Sequence, residues 1–254
     1  MADLLIPTTA LAIIFAFVAF FYASVGLGGG SSYTALLAIF GASTVTIPMV
    51  SLTLNILVTT FGSLVFLIHG HARFRLVVPF ILASIPMAYL GGMLHLPKLV
   101  FYLLLLISLI FAAARIYFPK NAESLSFKRK DRLILALVGG AVLGFVAGIT
   151  GIGGGVYLVP LIILLGLGSA KEAAACGAFF IWVNSVSGLL ARMQFNSIDM
   201  APYLPLVIAA VLGGMVGTIM GAGRFQTQTM QRILGSILLV AILMLGRKML
   251  FLMT

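Results

Sequence analysis

The chain has 254 residues, of which 62% are hydrophobic and 8% charged, with a formal net charge of +10 and a mean hydropathy of +1.24. Soluble domains average about 25% charged residues, which excludes a cytoplasmic globular protein. No polar stretch is long enough for a separate catalytic domain, and the excess positive charge fits loops on the cytoplasmic side of a membrane rather than a nucleic-acid surface.

A helix needs roughly 20 apolar residues to span a hydrocarbon core of about 30 Å, and the sequence predicts ten apolar segments. The first, at 5–25, follows an N-terminus without the basic region and cleavage site of a signal peptide, so it is expected to stay as a crossing. Gly26-Leu-Gly-Gly-Gly30 ends it, and a short segment at 30–42 follows. The third segment, 46–68, carries Asn55, Thr59 and Thr60, and the loop after it holds His69, His71, Arg73 and Arg75. Segments at 76–95 and 98–118 complete the first half. A linker at 119–132 carries Lys120, Lys128, Arg129, Lys130 and Arg132.

The second half opens with 133–150, then Gly151-Ile-Gly-Gly-Gly155 and another short segment, 154–168. Segment 172–192 contains Cys176, Trp182, Asn184, Ser185, Ser187 and Arg192; the loop Gln194 to Met200 holds only Asp199. Segments 201–222 and 228–251 end the chain. The predicted fold class is an all-α polytopic membrane protein with two repeats of about five segments, 1–118 and 133–254, joined by a basic cytoplasmic linker at 119–132. Helices broken at the glycine motifs are part of that prediction.

The repeat is legible in the spacing. Gly26, Gly28, Gly29 and Gly30 recur as Gly151, Gly153, Gly154 and Gly155 at an offset of 125, while Gly62 and Pro79 recur as Gly188 and Pro205 at 126. Loop charge predicts that the halves are inverted: the loop after the third segment is basic, and its counterpart holds one acid. The next connection reverses the bias, with Lys98 alone against Arg224 and Arg232. An odd number of crossings per half produces such an inversion; Arg192 and the Arg247-Lys248 pair do not fit it cleanly.

Glycine-rich breaks at membrane depth leave N–H and C=O groups that hydrocarbon cannot satisfy, so they are expected to line a cavity or face solute. Two at matching places point to a transporter's substrate site. A helix starting after each break presents free N–H groups at its positive dipole end, which suits an anion. The predicted substrate-binding residues are Gly28, Gly29, Gly30, Ser31, Ser32, Thr150, Gly151, Gly153, Gly154, Gly155 and Asn184. Arg192 and Gln194, near a membrane face, are candidate gate residues. Tight helix packing is the competing reading of the glycines.

The five acids, Asp3, Glu123, Asp131, Glu172 and Asp199, all fall outside the segment centres. Cation carriers commonly place a carboxylate in the membrane, so the expected substrate is an anion. His69-x-His71 and His95 lack the partners of a metal site, and neither glycine motif has a serine in a Gly-x-Ser-x-Gly frame; no enzyme, metal or cofactor is expected. The expected partners are a small anion and the lipid bilayer, with no nucleic acid, and a homodimer is an open option.

The paired motifs resemble the TauE/SafE family of sulfite exporters. Gly26-Leu-Gly-Gly-Gly30 and Gly148-Ile-Thr-Gly-Ile-Gly-Gly-Gly155 carry the resemblance, with Val159-Pro160-Leu161 and the Gly177 segment, over about residues 10 to 250. The first motif departs from the second, with Ala35 where Pro160 stands. The resemblance implies a multi-pass protein of the bacterial inner membrane that moves sulfite, sulfoacetate or other organosulfonates by alternating access. An anion channel, and more remotely a membrane-embedded enzyme, are the alternatives.

Overall fold

A computed structural model of the chain describes residues 7–71, 73–117, 129–223 and 227–253. The elements are α1 (Thr8–Ser24), α2 (Gly30–Ile39), α3 (Thr46–Ile68), α4 (Phe74–Met93), α5 (Lys98–Tyr117), α6 (Arg129–Thr150), α7 (Gly155–Leu164), α8 (Ala170–Met193), α9 (Leu204–Gly223) and α10 (Thr227–Met253), with a 3₁₀ turn at Ala201–Tyr203. Each apolar segment predicted from the sequence coincides with one of these helices to within a few residues at its ends, because every one is too apolar to leave in water and too long to pack as coil. α6 begins at Arg129, so the end of the predicted linker is helical; Lys120, Glu123 and Lys128, like Asp3 and Arg224, lie outside the described residues.

Among the described residues, six helices (α3, α4, α6, α8, α9 and α10) are long and apolar enough to cross a membrane, and α1 and α5 add shorter apolar helices. The outward faces carry large apolar side chains, among them Phe17, Leu64, Leu82, Leu212 and Leu243. Such a surface belongs in lipid, and the protein is a multi-pass integral membrane protein.

Two helix pairs hold the halves together: α1 packs along α9, and α4 along α6. Both contacts are lined by glycine at every fourth position. Gly213, Gly217 and Gly221 sit against the backbone of Ala16, Phe20 and Ser24; Gly140, Gly144 and Gly148 sit against Phe80, Ser84 and Ala88. Each glycine meets backbone where a Cβ would have to go, so the helices approach as closely as small residues allow. In both pairs contacts advance together along the two chains, so α1 runs parallel to α9 and α4 parallel to α6.

The α3 and α8 helices cross between these pairs, running antiparallel. Trp182 Nε1 donates to Thr60 Oγ1 at 3.0 Å, Gly62 lies against Ala178, and Gly188 against Leu52. α4 runs with α8, as Phe74 meets Phe179 and Ser187 Oγ donates to the Ile85 carbonyl at 2.7 Å. α3 runs with α9, with Val58 against Gly214 and Gly62 near Thr218. At the start of α8, Ser169 and Glu172 form a capping box, and Arg73 pairs with Glu172 at 2.9 Å.

The short helices have 10 residues each, which is about 15 Å and half a hydrocarbon core. Neither crosses alone. α2 doubles back along α1: Tyr33 stacks on Phe15 with ring centroids 4.9 Å apart, and Ser31 and Ser32 reach Tyr22. Gly26 lies against Ala174 near the start of α8, whereas Gly30 lies against Asn55 in mid-α3. The four steps between them extend at most about 14 Å, so loop and helix together return the chain across roughly the full core. The second half repeats this layout. Gly151 lies against Pro48 at the start of α3, Gly155 against Ile181 in mid-α8, and Val159 against Gly177.

Candidate functional site

The two breaks are built alike. Of the eight left-handed glycines among the described residues, six fall in three pairs 125 positions apart: Gly26 and Gly151 (φ 77° and 78°), Gly29 and Gly154 (92° and 80°), and Gly41 and Gly166 (98° and 60°); the breaks differ at Gly153 (85°), which is left-handed where Gly28 is not, and Gly70 stands outside both. Gly29 and Gly154 are the N-caps of α2 and α7, and neither helix start receives a side-chain cap. The first N–H groups of a helix have no acceptor within it. Two such starts are thus left for something other than their own flanking side chains.

The breaks meet beside α3. Ser51 Oγ donates to the Gly151 carbonyl at 3.0 Å and lies 3.3 Å from the Gly30 carbonyl, so one hydroxyl touches both breaks. One turn further on, Asn55 Nδ2 donates to the Ile152 carbonyl at 3.2 Å, and its Oδ1 faces Gly28 without a hydrogen-bond partner. Ser185 on α8 closes the other side: its buried Oγ has no partner, and it lies where a side chain on Gly153 would project. Gly28 to Gly30 and the whole stretch Gly151-Ile152-Gly153-Gly154-Gly155 are buried. The structure is a closed arrangement in which the two breaks fill each other's space.

The side chains singled out from sequence divide into those at this junction and those turned from it. Ser31 and Ser32 both donate to the Tyr22 hydroxyl, at 2.9 and 2.8 Å, which fastens the first turn of α2 to the last of α1. Thr150 Oγ1 donates back to the Val146 carbonyl at 2.7 Å and accepts from the Ile152 N–H at 3.4 Å, shaping the entry to the second break. Asn184 is buried at mid-α8 but bonds its own helix, Nδ2 to the Phe180 carbonyl at 2.8 Å, leaving Oδ1 without a partner. Its neighbour Ser185, with Ser51 and Asn55, lies against the glycines instead. The sequence signal for the last two was their spacing of four residues, which puts both on one face of α3.

Arg192 and Gln194 separate as well. Gln194 is exposed at the C-cap of α8. Arg192 is 6% exposed, and its Nη2 donates to the carbonyls of Gly148 and Ile149, at 2.8 and 2.7 Å. A guanidinium on the last carbonyls of α6 meets the negative end of that helix dipole one step before the chain breaks. Its Nε has no partner, and a small cavity of about 40 Å³ adjoins it, lined also by His95 and Asn196.

Apolar crossing helices, two of them followed by glycine breaks that meet at mid-depth, define a polytopic α-helical membrane protein with discontinuous segments. The chain belongs to the sulfite exporter TauE/SafE family, whose sequence profile matches residues 11–245, and as a member it is a membrane transporter. It is 37% identical over 235 residues to "Probable membrane transporter protein y4hK" of Sinorhizobium fredii, covering 91% of this chain and 94% of that one. "Probable membrane transporter protein YjnA" of Bacillus subtilis is 25% identical over 235 residues, covering 85% and 91%. The same organism's "Probable membrane transporter protein YunE" is 34% identical over 99 residues, 39% of this chain and 36% of its own. No solved structure matches the chain.

Proposed function

We propose that this transporter carries small sulfur-containing anions, sulfite or an organosulfonate such as sulfoacetate, by alternating access. The observation that carries the reading is the convergence of two uncapped helix starts on one buried junction, where Ser51 and Asn55 tie the opposing breaks together. Free N–H groups with a positive dipole end behind them bind oxyanions in a dry site. The acids among the described residues, Asp131, Glu172 and Asp199, lie at helix starts or in a loop, so none opposes a negative charge there. Sulfur enters through the family's description as sulfite exporters.

On this reading Gly28 to Ser31 and Gly153 to Gly155 supply backbone donors when the halves part, while Ser32 and Gly151, whose N–H groups bond the Gly29 and Ala147 carbonyls, shape the two breaks. Ser31, Ser32, Thr150 and Asn184 supply hydroxyl and amide groups after turning from their present partners, and Ser51, Asn55 and Ser185 join them. Helix directions support inverted halves. With α1 and α9 parallel, α4 and α6 parallel, α3 parallel to α9, and α3 antiparallel to α8, the helices α1, α3 and α4 each run against their counterparts α6, α8 and α9. An inverted pair has two related conformations, one open to each side. Arg192 then serves as a gate by holding the end of α6 against α8, with exposed Gln194 at its rim.

Thermal stabilisation of the purified protein by sulfite, sulfate, sulfoacetate, taurine, chloride and a monocarboxylate tests the substrate class. A ligand at a hundred times its Kd stabilises by about 2.7 kcal/mol. A shift confined to sulfite or a sulfonate, and absent from Gly154→Val, is the expected result. Absence of a shift with every anion refutes the helix-start pocket. Flux that saturates and is stimulated by substrate on the opposite side marks a carrier, and ohmic single-channel current would replace the carrier with a channel.

A further inference from the structure

A groove of about 720 Å³ opens between the beginnings of α4 and α6, far from the glycine junction. Arg75, Lys130 and Arg132 line it, and Pro79, Phe80 and Leu133 are among its apolar walls. All three cations are exposed. Asp131 is the acid on the same turn of α6, and the nearby Glu172 is engaged by Arg73. Three positive side chains from two helices thus rim a slot that is apolar below and lies where the helices enter the membrane.

The packing of the fold does not call for this charge. α1 lies on α9 as α6 lies on α4, with the same four-residue glycine spacing. Positions matching Arg75, Lys130 and Arg132 in that second pair are Ala201, Leu5 and Pro7, all uncharged. Those positions begin helices that run the other way, so the three cations go with one face of the membrane, as basic loops do, and not with the packing of the pair. We propose that the groove binds an anionic phospholipid, its phosphate held by Arg75, Lys130 and Arg132 and an acyl chain laid along Pro79, Phe80 and Leu133. Charge complementarity selects the headgroup, and the apolar walls select a lipid over a free anion. Because α4 and α6 belong to different halves, the lipid would bridge them on the side carrying the basic loops.

The test uses the full chain in neutral detergent with added phosphatidylglycerol or phosphatidylcholine, reading retained lipid by native mass spectrometry and the melting temperature. Phosphatidylglycerol should be retained and should raise the melting temperature more than phosphatidylcholine. The combined Arg75→Gln, Lys130→Gln and Arg132→Gln variant should weaken that binding roughly fivefold per cation, equivalent to about 1 kcal/mol each. Lys98→Gln with Arg232→Gln, which removes two cations outside the groove, should leave it unchanged. Should the triple variant not fold, the single Lys130→Gln change at an exposed helix start must still give about a fivefold loss. Equal binding of the two lipids overturns the proposal, as does an unaffected variant. So does a full thermal shift from glycerol 3-phosphate alone, which would make the occupant a free anion.

Discussion

Replacing Gly154 by alanine tests the backbone geometry of the second break with the smallest possible side chain. Gly154 has φ +80°, and a Cβ there would lie 2.9 Å from Phe180 Cε1 and 3.3 Å from Ala147 Cβ. Left-handed backbone costs a non-glycine residue about 1–2 kcal/mol. Phe180 is fully buried and cannot swing clear, so overpacking adds about 1–3 kcal/mol. The expected loss is therefore about 2–5 kcal/mol, set against a total stability on the order of 5–15 kcal/mol. At roughly 2–4 °C per kcal/mol for a chain of this size, the variant should still fold but melt several degrees lower. Gly246→Ala is the matched control: nothing lies within 4 Å of its Cβ position and its φ is not left-handed, so alanine should be neutral or stabilising by up to about 1 kcal/mol. Melting curves of the three proteins in one detergent decide the matter. Gly154→Ala melting with the parent would refute the strain and crowding assigned to this cap. The larger Gly154→Val should insert into the membrane and fail to transport, and normal transport by it removes the motif from the site.

Ser51→Ala leaves the buried Gly151 carbonyl without its hydroxyl donor, which should cost about 1–3 kcal/mol and lower the melting temperature; Thr53→Ala, whose hydroxyl only bonds back to Met49, should cost less, and the reverse order sinks the junction. Arg192→Leu removes two charge-assisted bonds to the end of α6, each worth about 1.5–3 kcal/mol; in thermal melts Arg192→Lys should recover part of the loss, whereas equal melting of the two variants would mean that the carbonyl contacts contribute nothing. Gly144→Ala drives a Cβ to 2.6 Å from Ser84 Cα, while Gly139→Ala on the same helix meets nothing closer than 3.6 Å. The first should destabilise by about 1–3 kcal/mol and the second should not, as read by chemical denaturation.

All ten helices were legible because hydrophobic run length is a local property, and the paired breaks because glycine density survives as a spacing of 125. Whether the short segments cross was not, since a 10-residue helix and a four-step loop look alike in hydropathy. The Gly140-x₃-Gly144-x₃-Gly148 and Gly213-x₃-Gly217-x₃-Gly221 stripes were visible in the letters. Their partners, Phe80, Ser84 and Ala88 on α4 and Ala16, Phe20 and Ser24 on α1, were not, because periodicity identifies a face but not what it meets. The same limit separated Asn184 from Ser185: adjacent residues on a helix point about 100° apart, and only the packing of α7 against α8 decides which faces the glycines. Arg192 looked interfacial from its place at the end of a segment. Nothing local shows that α6 ends beside it and offers two carbonyls.

The pairing of α1 with α9 has a consequence for how the chain is made. A ribosome delivers α1 before α9 with seven helices between them, so α1 waits through the synthesis of α2 to α8 for its principal neighbour. α4 waits only until α6 is synthesised. Assembly is thus staged: the α4–α6 seam can zip while α7 and α8 are still being made, and the α1–α9 seam closes only after them. Until then the face of α1 that carries Ala16, Phe20 and Ser24 must rest against lipid or an insertion factor. Cutting the gene between α5 and α6 would yield two polypeptides, each lacking the partner for its own first helix. Neither should survive quality control alone, and translated together they should restore one another.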